Sequence, residues 1–276
     1  MIDYIELLKK TWNDVKTQPM VFAPMLFYIV TELIFFIVLL TEFFYMGFST
    51  SMFTQQTLTE FNFSQIMLIL SFVMIVIALL TLLKAYIGAM QCGAYLSIIK
   101  KQKISFSSLL SSAKKYFFRV LSFYLLMLLL YLIIVMIYLG IPFLLGIVYP
   151  LAFFLLIPGF FLFFIALLFI GLCTLFALPL LILENKSAWQ ALQGSFHFFF
   201  AHLLQVFMVG LILFVLMLIV TIPLMIPSFM LNVAAGFNIL FRVFSIALNV
   251  LQSLLGAIVG VYAGLYIFNA YSAIKE

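Results

Sequence analysis

The sequence predicts an all-α polytopic membrane protein with six transmembrane helices arranged as three hairpins, each preceded by an amphipathic helix at the cytoplasmic interface. Three observations predict it. Hydrophobic residues make up 68% of the chain and charged residues only 8%, whereas a soluble domain carries about a quarter charged residues. Apolar runs longer than about 18 residues recur, each able to cross the ~30 Å hydrocarbon layer as a helix. The basic residues gather on one side of those runs.

The runs place spans at 20–46, 66–99, 120–145, 151–183, 203–231 and 240–272. Lys9, Lys10, Lys16, Lys100, Lys101, Lys103, Lys114, Lys115, Arg119, Lys186 and Lys275 then share one side with both termini. Segments 47–65, 146–150 and 232–239, on the other side, contain no Lys or Arg. The positive-inside rule therefore makes both termini cytoplasmic, in a multi-pass protein of the cell membrane. Acids and bases alternate through the first 18 residues instead of forming a basic stretch before an apolar one, so no cleaved signal peptide is expected. The net charge of +5 is accounted for by this topology and implies no nucleic acid. Pro142, Pro150 and Pro158 with Gly140, Gly146 and Gly159 predict a short outer turn and an early kink in the fourth span. Pro223 and Pro227 are expected to weaken the outer end of the fifth.

An internal repeat divides the single domain, residues 1–276, into units of about 1–99, 104–183 and 186–276. Aligning Leu8, Leu110 and Leu192 superposes ELLKKTWNDVKTQPMVF, SLLSSAKKYFFRVLSF and ALQGSFHFFFAHLLQVF, offset by 102 and 82 residues. Each stretch leads into an apolar span. In the first, Ile2, Ile5, Leu8, Trp12 and Val15 recur at helical spacing opposite a charged face, as suits a helix in the headgroup plane. In the second, Ser105 is placed to cap a helix.

These stretches, with LFALPLLILENKSAWQALQGSFHFFFAHLLQV and the closing AGLYIFNAYSAI, resemble the multi-span membrane domain found in front of some glycerophosphodiester phosphodiesterases, together with its stand-alone bacterial and archaeal relatives. The shared motifs are hydrophobic and juxtamembrane. The resemblance implies a fold and a membrane location; the phosphodiesterase barrel is not expected, and no activity comes with it.

Lys84 is the one residue of 66–99 charged at neutral pH. If the first two spans form a straight antiparallel hairpin, Lys84 and Glu32 both lie about 18–23 Å from the cytoplasmic ends of their helices. An unpaired charge near the bilayer centre costs about 3 kcal/mol or more, so the expectation is a Glu32–Lys84 ion pair, with a ligand or ion cavity as the alternative. Thr81, Gly88, Gln91 and Tyr95 share the Lys84 face. The last span offers Arg242, Ser245, Asn249 and Gln252, then Gly256, Gly260 and Gly264, whose spacing suits close approach to Ala85, Ala89 and Gly93. Glu42 is a candidate partner for Arg242. Lys100, Lys101, Lys103, Lys114, Lys115 and Arg119 are candidates for lipid headgroups.

His197 and His202 stand five apart, about 140° around a helix, and no Cys or acid flanks them, so no metal site is expected. Cys92 and Cys173 read as small packing residues. The chain contains no glycine-rich phosphate loop, HExxH, GxSxG or Asp-rich cluster, so neither enzyme activity nor a cofactor is expected. The expected role is a non-enzymatic membrane protein that engages lipid, a protein partner or a second copy through its cytoplasmic face. A transporter lined by Glu32, Lys84, Gln91 and Asn249 is the alternative, and an accessory or immunity protein for a secreted peptide a weaker one. Two-span units repeat in parallel, whereas inverted repeats need an odd number of spans, which tilts against transport.

Overall fold

Helix α1 (Tyr4–Thr17) starts where the Asp3 carboxylate accepts the amides of Ile5 and Glu6 at 2.9 and 3.1 Å, using donors that the first helical turn leaves free. In this computed structural model, residues 3–34, 63–234 and 239–275 are described. Glu42, and Glu60 with residues 47–62 of the expected outer segment 47–65, lie outside them. Gln18 precedes a proline and leaves helical geometry, and the chain turns by 92° into α2 (Pro19–Ile34). Helix α3 (Phe63–Ile99) comes next, and its end is closed by Lys101 N–H to Ile98 O and Gln102 N–H to Ser97 O. Lys101 takes φ 54°, the left-handed conformation such an ending requires, without being glycine.

Ser105 caps α4 (Phe106–Val135) as expected, in a reciprocal pair with Ser108. The helix continues through a π-helical turn, Met136–Gly140, into α5 (Ile141–Val148). Pro142 supplies no N–H to the carbonyl of Tyr138, and Gly159 of α6 packs so close to that oxygen that a Cβ would lie 2.4 Å from it. A 3₁₀ stretch, Pro150–Leu155, makes the outer turn into α6 (Leu156–Cys173). Short α7 (Ala177–Leu183) and α8 (Ala188–Ala201) lead to α9 (Leu203–Ala234), which runs unbroken through Pro223 and Pro227, and α10 (Ile239–Lys275). No strand occurs among the described residues. Five helical stretches are long and apolar enough to cross a membrane, six if the bent α1–α2 pair counts as one.

The buried core occupies one end of the molecule. It takes in α1, the last turns of α3 from Ala89, the first turns of α4 as far as Met127, the Cys173–Ile182 segment, α8, the start of α9 and α10 from Val261. Beyond those limits the same helices expose long apolar side chains such as Leu129, Phe161, Ile219 and Ile246. The molecule is a packed head carrying apolar legs, and the outward surface of the legs is what lipid contact demands. Positions related by the repeat offsets are buried together: Leu7, Leu109 and Ala191, then Thr11, Ala113 and Ser195. The units differ at the next step, because chain breaks at Gln18 and His202 separate α1 and α8 from the helices after them, whereas α4 passes into its span without interruption.

Buried polar contacts bind the head. Asn269 donates to Thr11 Oγ1 at 3.1 Å and to Asp14 Oδ2 at 3.4 Å, and Tyr262 donates to Leu8 O at 2.8 Å, fastening α10 to α1. Ser195 donates to Cys173 O at 2.7 Å, holding α8 on α6. Ile104 N–H donates to Gln18 Oε1 at 3.3 Å, which brings the basic α3–α4 connection beside the end of α1. Both cysteine side chains are buried.

Candidate functional site at the basic end

The turn Glu184–Ser187, in the sequence ENKS between α7 and α8, gathers polar contacts from α4, α8 and α10. Ser187 caps α8 in a reciprocal pair with Gln190. Asn185 takes φ 54°, which asparagine tolerates better than most residues, and its Oδ1 accepts from Arg119 Nη1 at 3.1 Å. Glu184 faces the other way. Its Oε2 accepts from Lys186 at 2.7 Å, and its Oε1 accepts from Lys275 at 2.6 Å and from the Tyr271 hydroxyl. Burial raises the Glu184 carboxyl, but the hydrogen bonds from Lys186, Lys275 and Tyr271 outweigh it and hold the pKa at about 2.

A cleft flanks each side of this turn. One, of about 340 Å³, is lined by Leu180, Glu184, Lys186, Gly194, His197, Phe198, Ala201, His202, Tyr271, Ile274 and Lys275. The other, of about 430 Å³, is lined by Phe118, Arg119, Ser122, Asn185, Ser187, Ala188 and Gln190. His202 Nδ1 lies 2.9 Å from Gln205 Oε1 and its ring packs on Phe198. The turn was hard to find from sequence because its partners are distant: Tyr271 and Lys275 lie some 90 residues further along the chain. Its one local signal is an acid and a base two apart at a break between apolar helices.

Lys84 is not where the hairpin argument put it. Glu32 accepts a 3.4 Å hydrogen bond from Tyr28, and neither Glu32 nor Lys84 has an ion-pair partner among the described residues. The cause is register. Gln91 Nε2 donates to Val21 O at 3.0 Å, so Lys84, seven residues from Gln91, and Glu32, eleven from Val21, differ in depth by roughly 6 Å. Neighbouring α4 gives the level independently: Gly93 packs on Ser112 and Tyr86 on Phe117, which sets Lys84 opposite residues 119–121. Lys84 is exposed, at the level where the basic part of α4 gives way to its apolar run.

The remaining candidates separate. Gln91 is engaged with α2, Tyr95 donates to Val261 O at 3.1 Å, and Asn249 Oδ1 accepts from Ser228 at 2.8 Å between α9 and α10. Gln252 is half-buried, and the Arg242 side chain is not among those described. Of the three spaced glycines only Gly264 makes a close approach, where a Cβ would lie 2.3 Å from Tyr95 Oη; Gly256 and Gly260 have no neighbour within 4 Å among the described residues. Gly93 faces α4 instead of α10, with a Cβ position 2.2 Å from the Ser112 side chain. Lys100, Lys101, Lys103, Lys114 and Lys115 are all exposed, and Lys115 lies 5.2 Å over the Tyr116 ring.

A family model described as a domain of unknown function, DUF7847, matches residues 3–274. The chain belongs to this family. No curated protein and no solved structure matches it. The DUF7847 match takes in the basic loop, the cleft at Arg119 and Asn185, and the lining of the other cleft apart from Lys275. It carries no link to the glycerophosphodiester phosphodiesterases, and that part of the resemblance goes unsupported.

Proposed function

We propose that this DUF7847 chain is a non-enzymatic protein of the cell membrane, its termini cytoplasmic, that engages anionic lipid headgroups through the basic end of the bundle. On this reading the three units each combine an interfacial helix with a two-span hairpin. One observation carries it: cations and large rings are exposed together on the head. Trp12, Phe106, Phe118 and Trp189 are 54–74% exposed, at the same end as Lys100, Lys101, Lys103, Lys114 and Lys115. Rings of this size beside lysines find their best surroundings at the headgroup level, where the apolar body and the charge are both satisfied.

Transport asks for Glu32, Lys84, Gln91 and Asn249 along one path. Gln91 and Asn249 are committed to helix packing, and Lys84 lines neither cleft. That favours the lipid reading.

The two tryptophans, Trp12 and Trp189, make the test direct. With the protein in nanodiscs, brominated phosphatidylglycerol should quench their fluorescence more than brominated phosphatidylcholine. Replacing the five lysines by glutamine should erase the difference. Tryptophans left unquenched by both lipids would overturn the reading and point to a protein partner on this face.

A further inference from the structure

Three candidate spans meet at one cleft. Phe153–Leu183 ends at it, Leu203–Leu231 begins at it, and Phe244–Lys275 ends inside it. A cavity at the rim of three spans sits at headgroup level, and its polar lining is Glu184, Lys186, His197, His202, Tyr271 and Lys275.

We propose that this cleft is a specific site for the phosphate of an acidic phospholipid. The proposal rests on the lipid reading above and assigns to it one defined position. Both Glu184 oxygens are occupied, Oε1 by Lys275 and Tyr271, Oε2 by Lys186, so the carboxylate fixes the lysines without exhausting them. Each ammonium has three donors, and one of the three points at Glu184. One carboxylate and two ammonium groups leave the cleft a net positive charge before either histidine is counted. Gly194 lies beside the Lys186 nitrogen, which stands 3.4 Å from its Cβ position. Leu180, Phe198 and Ile274 supply an apolar wall where the glycerol backbone of a lipid would continue. Two preset cations, a free volume of about 340 Å³ and an apolar exit toward three spans match a phosphate diester with acyl chains. A soluble phosphate ester shares the headgroup chemistry and lacks the use for that exit.

Native mass spectrometry of the full chain in detergent, titrated with phosphatidylglycerol, phosphatidylcholine and glycerol 3-phosphate, tests it. The expected result is one tightly held phosphatidylglycerol that phosphatidylcholine does not replace. Lys186→Gln with Lys275→Gln should weaken it about thirtyfold, the worth of two lysines near an anionic group, and Lys186→Arg with Lys275→Arg should retain it. Arginine retention serves as the folding control, because glutamine at both positions also removes the two cationic partners of Glu184, leaving only the Tyr271 hydroxyl. Equal affinity for the two lipids, or an adduct indifferent to the glutamine pair, overturns the proposal. Glycerol 3-phosphate binding as tightly as phosphatidylglycerol would overturn the lipid as its occupant. If phosphatidylglycerol quenches the tryptophans but leaves no adduct, the cleft assignment alone falls; if both signals are missing, the lipid reading falls with it.

Discussion

Replacing Glu184 by glutamine removes a charge and keeps a similar shape, so it isolates what the carboxylate contributes to joining α10 to the α7–α8 turn. The folded pKa of about 2 lies below the ordinary 4.5, a difference worth about 3 kcal/mol if taken at face value. Solvent reduces it, since the Lys186 and Lys275 side chains are 35% and 59% exposed and Glu184 itself 21%. A screened value of about 1–2 kcal/mol is expected, or roughly 2–6 °C in melting temperature for a chain of this size. The sign is set by the depressed pKa. The stabilisation is complete above the unfolded value of 4.5 and disappears as pH falls from there toward 2. Melting of wild type and Glu184→Gln in detergent should therefore differ by a constant amount from pH 5.5 to 8 and converge toward pH 3. Curves that stay equally separated at pH 7 and pH 3, or that separate further in acid, would refute the electrostatic account and leave Glu184 a shape-filling residue.

Two other perturbations probe the packing. Gly264→Ala pushes a methyl into Tyr95 Oη, whose hydroxyl is held by Val261 O, and should cost about 1–3 kcal/mol; Gly260→Ala, with open space around it, should leave the melting temperature unchanged. Asn269→Ala leaves buried Thr11 without its donor and loosens α1 from α10, so hydrogen exchange of the Tyr4–Thr17 amides should accelerate at a stability cost of about 1–3 kcal/mol.

The features legible in the sequence are those that depend on composition along one helix. Apolar runs give the spans, the Lys and Arg bias gives a shared basic end, and Ser105 announces its own cap. Register between helices is not legible in the same way. Equal counts from the helix ends suggested that Lys84 and Glu32 meet, but α2 enters beside Gln91 instead of at the end of α3, and the match slides by about four residues. The same limit hid the Glu184 junction, whose distant partners come from α10 and, through Asn185, from α4. Hydropathy alone does not distinguish an apolar residue facing lipid from one facing protein.

Packing confined to one end has a mechanical consequence. Helices joined along their whole length must tilt together when a bilayer is thicker or thinner than they are, and every contact shares the strain. Here the buried core stops near Met127 in α4, Cys173 in α6 and Val261 in α10, and beyond it the helices meet at separate points, such as Gly159 on Tyr138 O and Ser228 on Asn249, while most large apolar side chains face outward. Those far portions have fewer shared contacts to strain, so adjusting to the local thickness, at fractions of a kcal/mol per ångström, leaves the shape of the head unchanged. On the lipid reading proposed above, the head would meet the headgroups of one leaflet while the far portions adapt to the depth of the other.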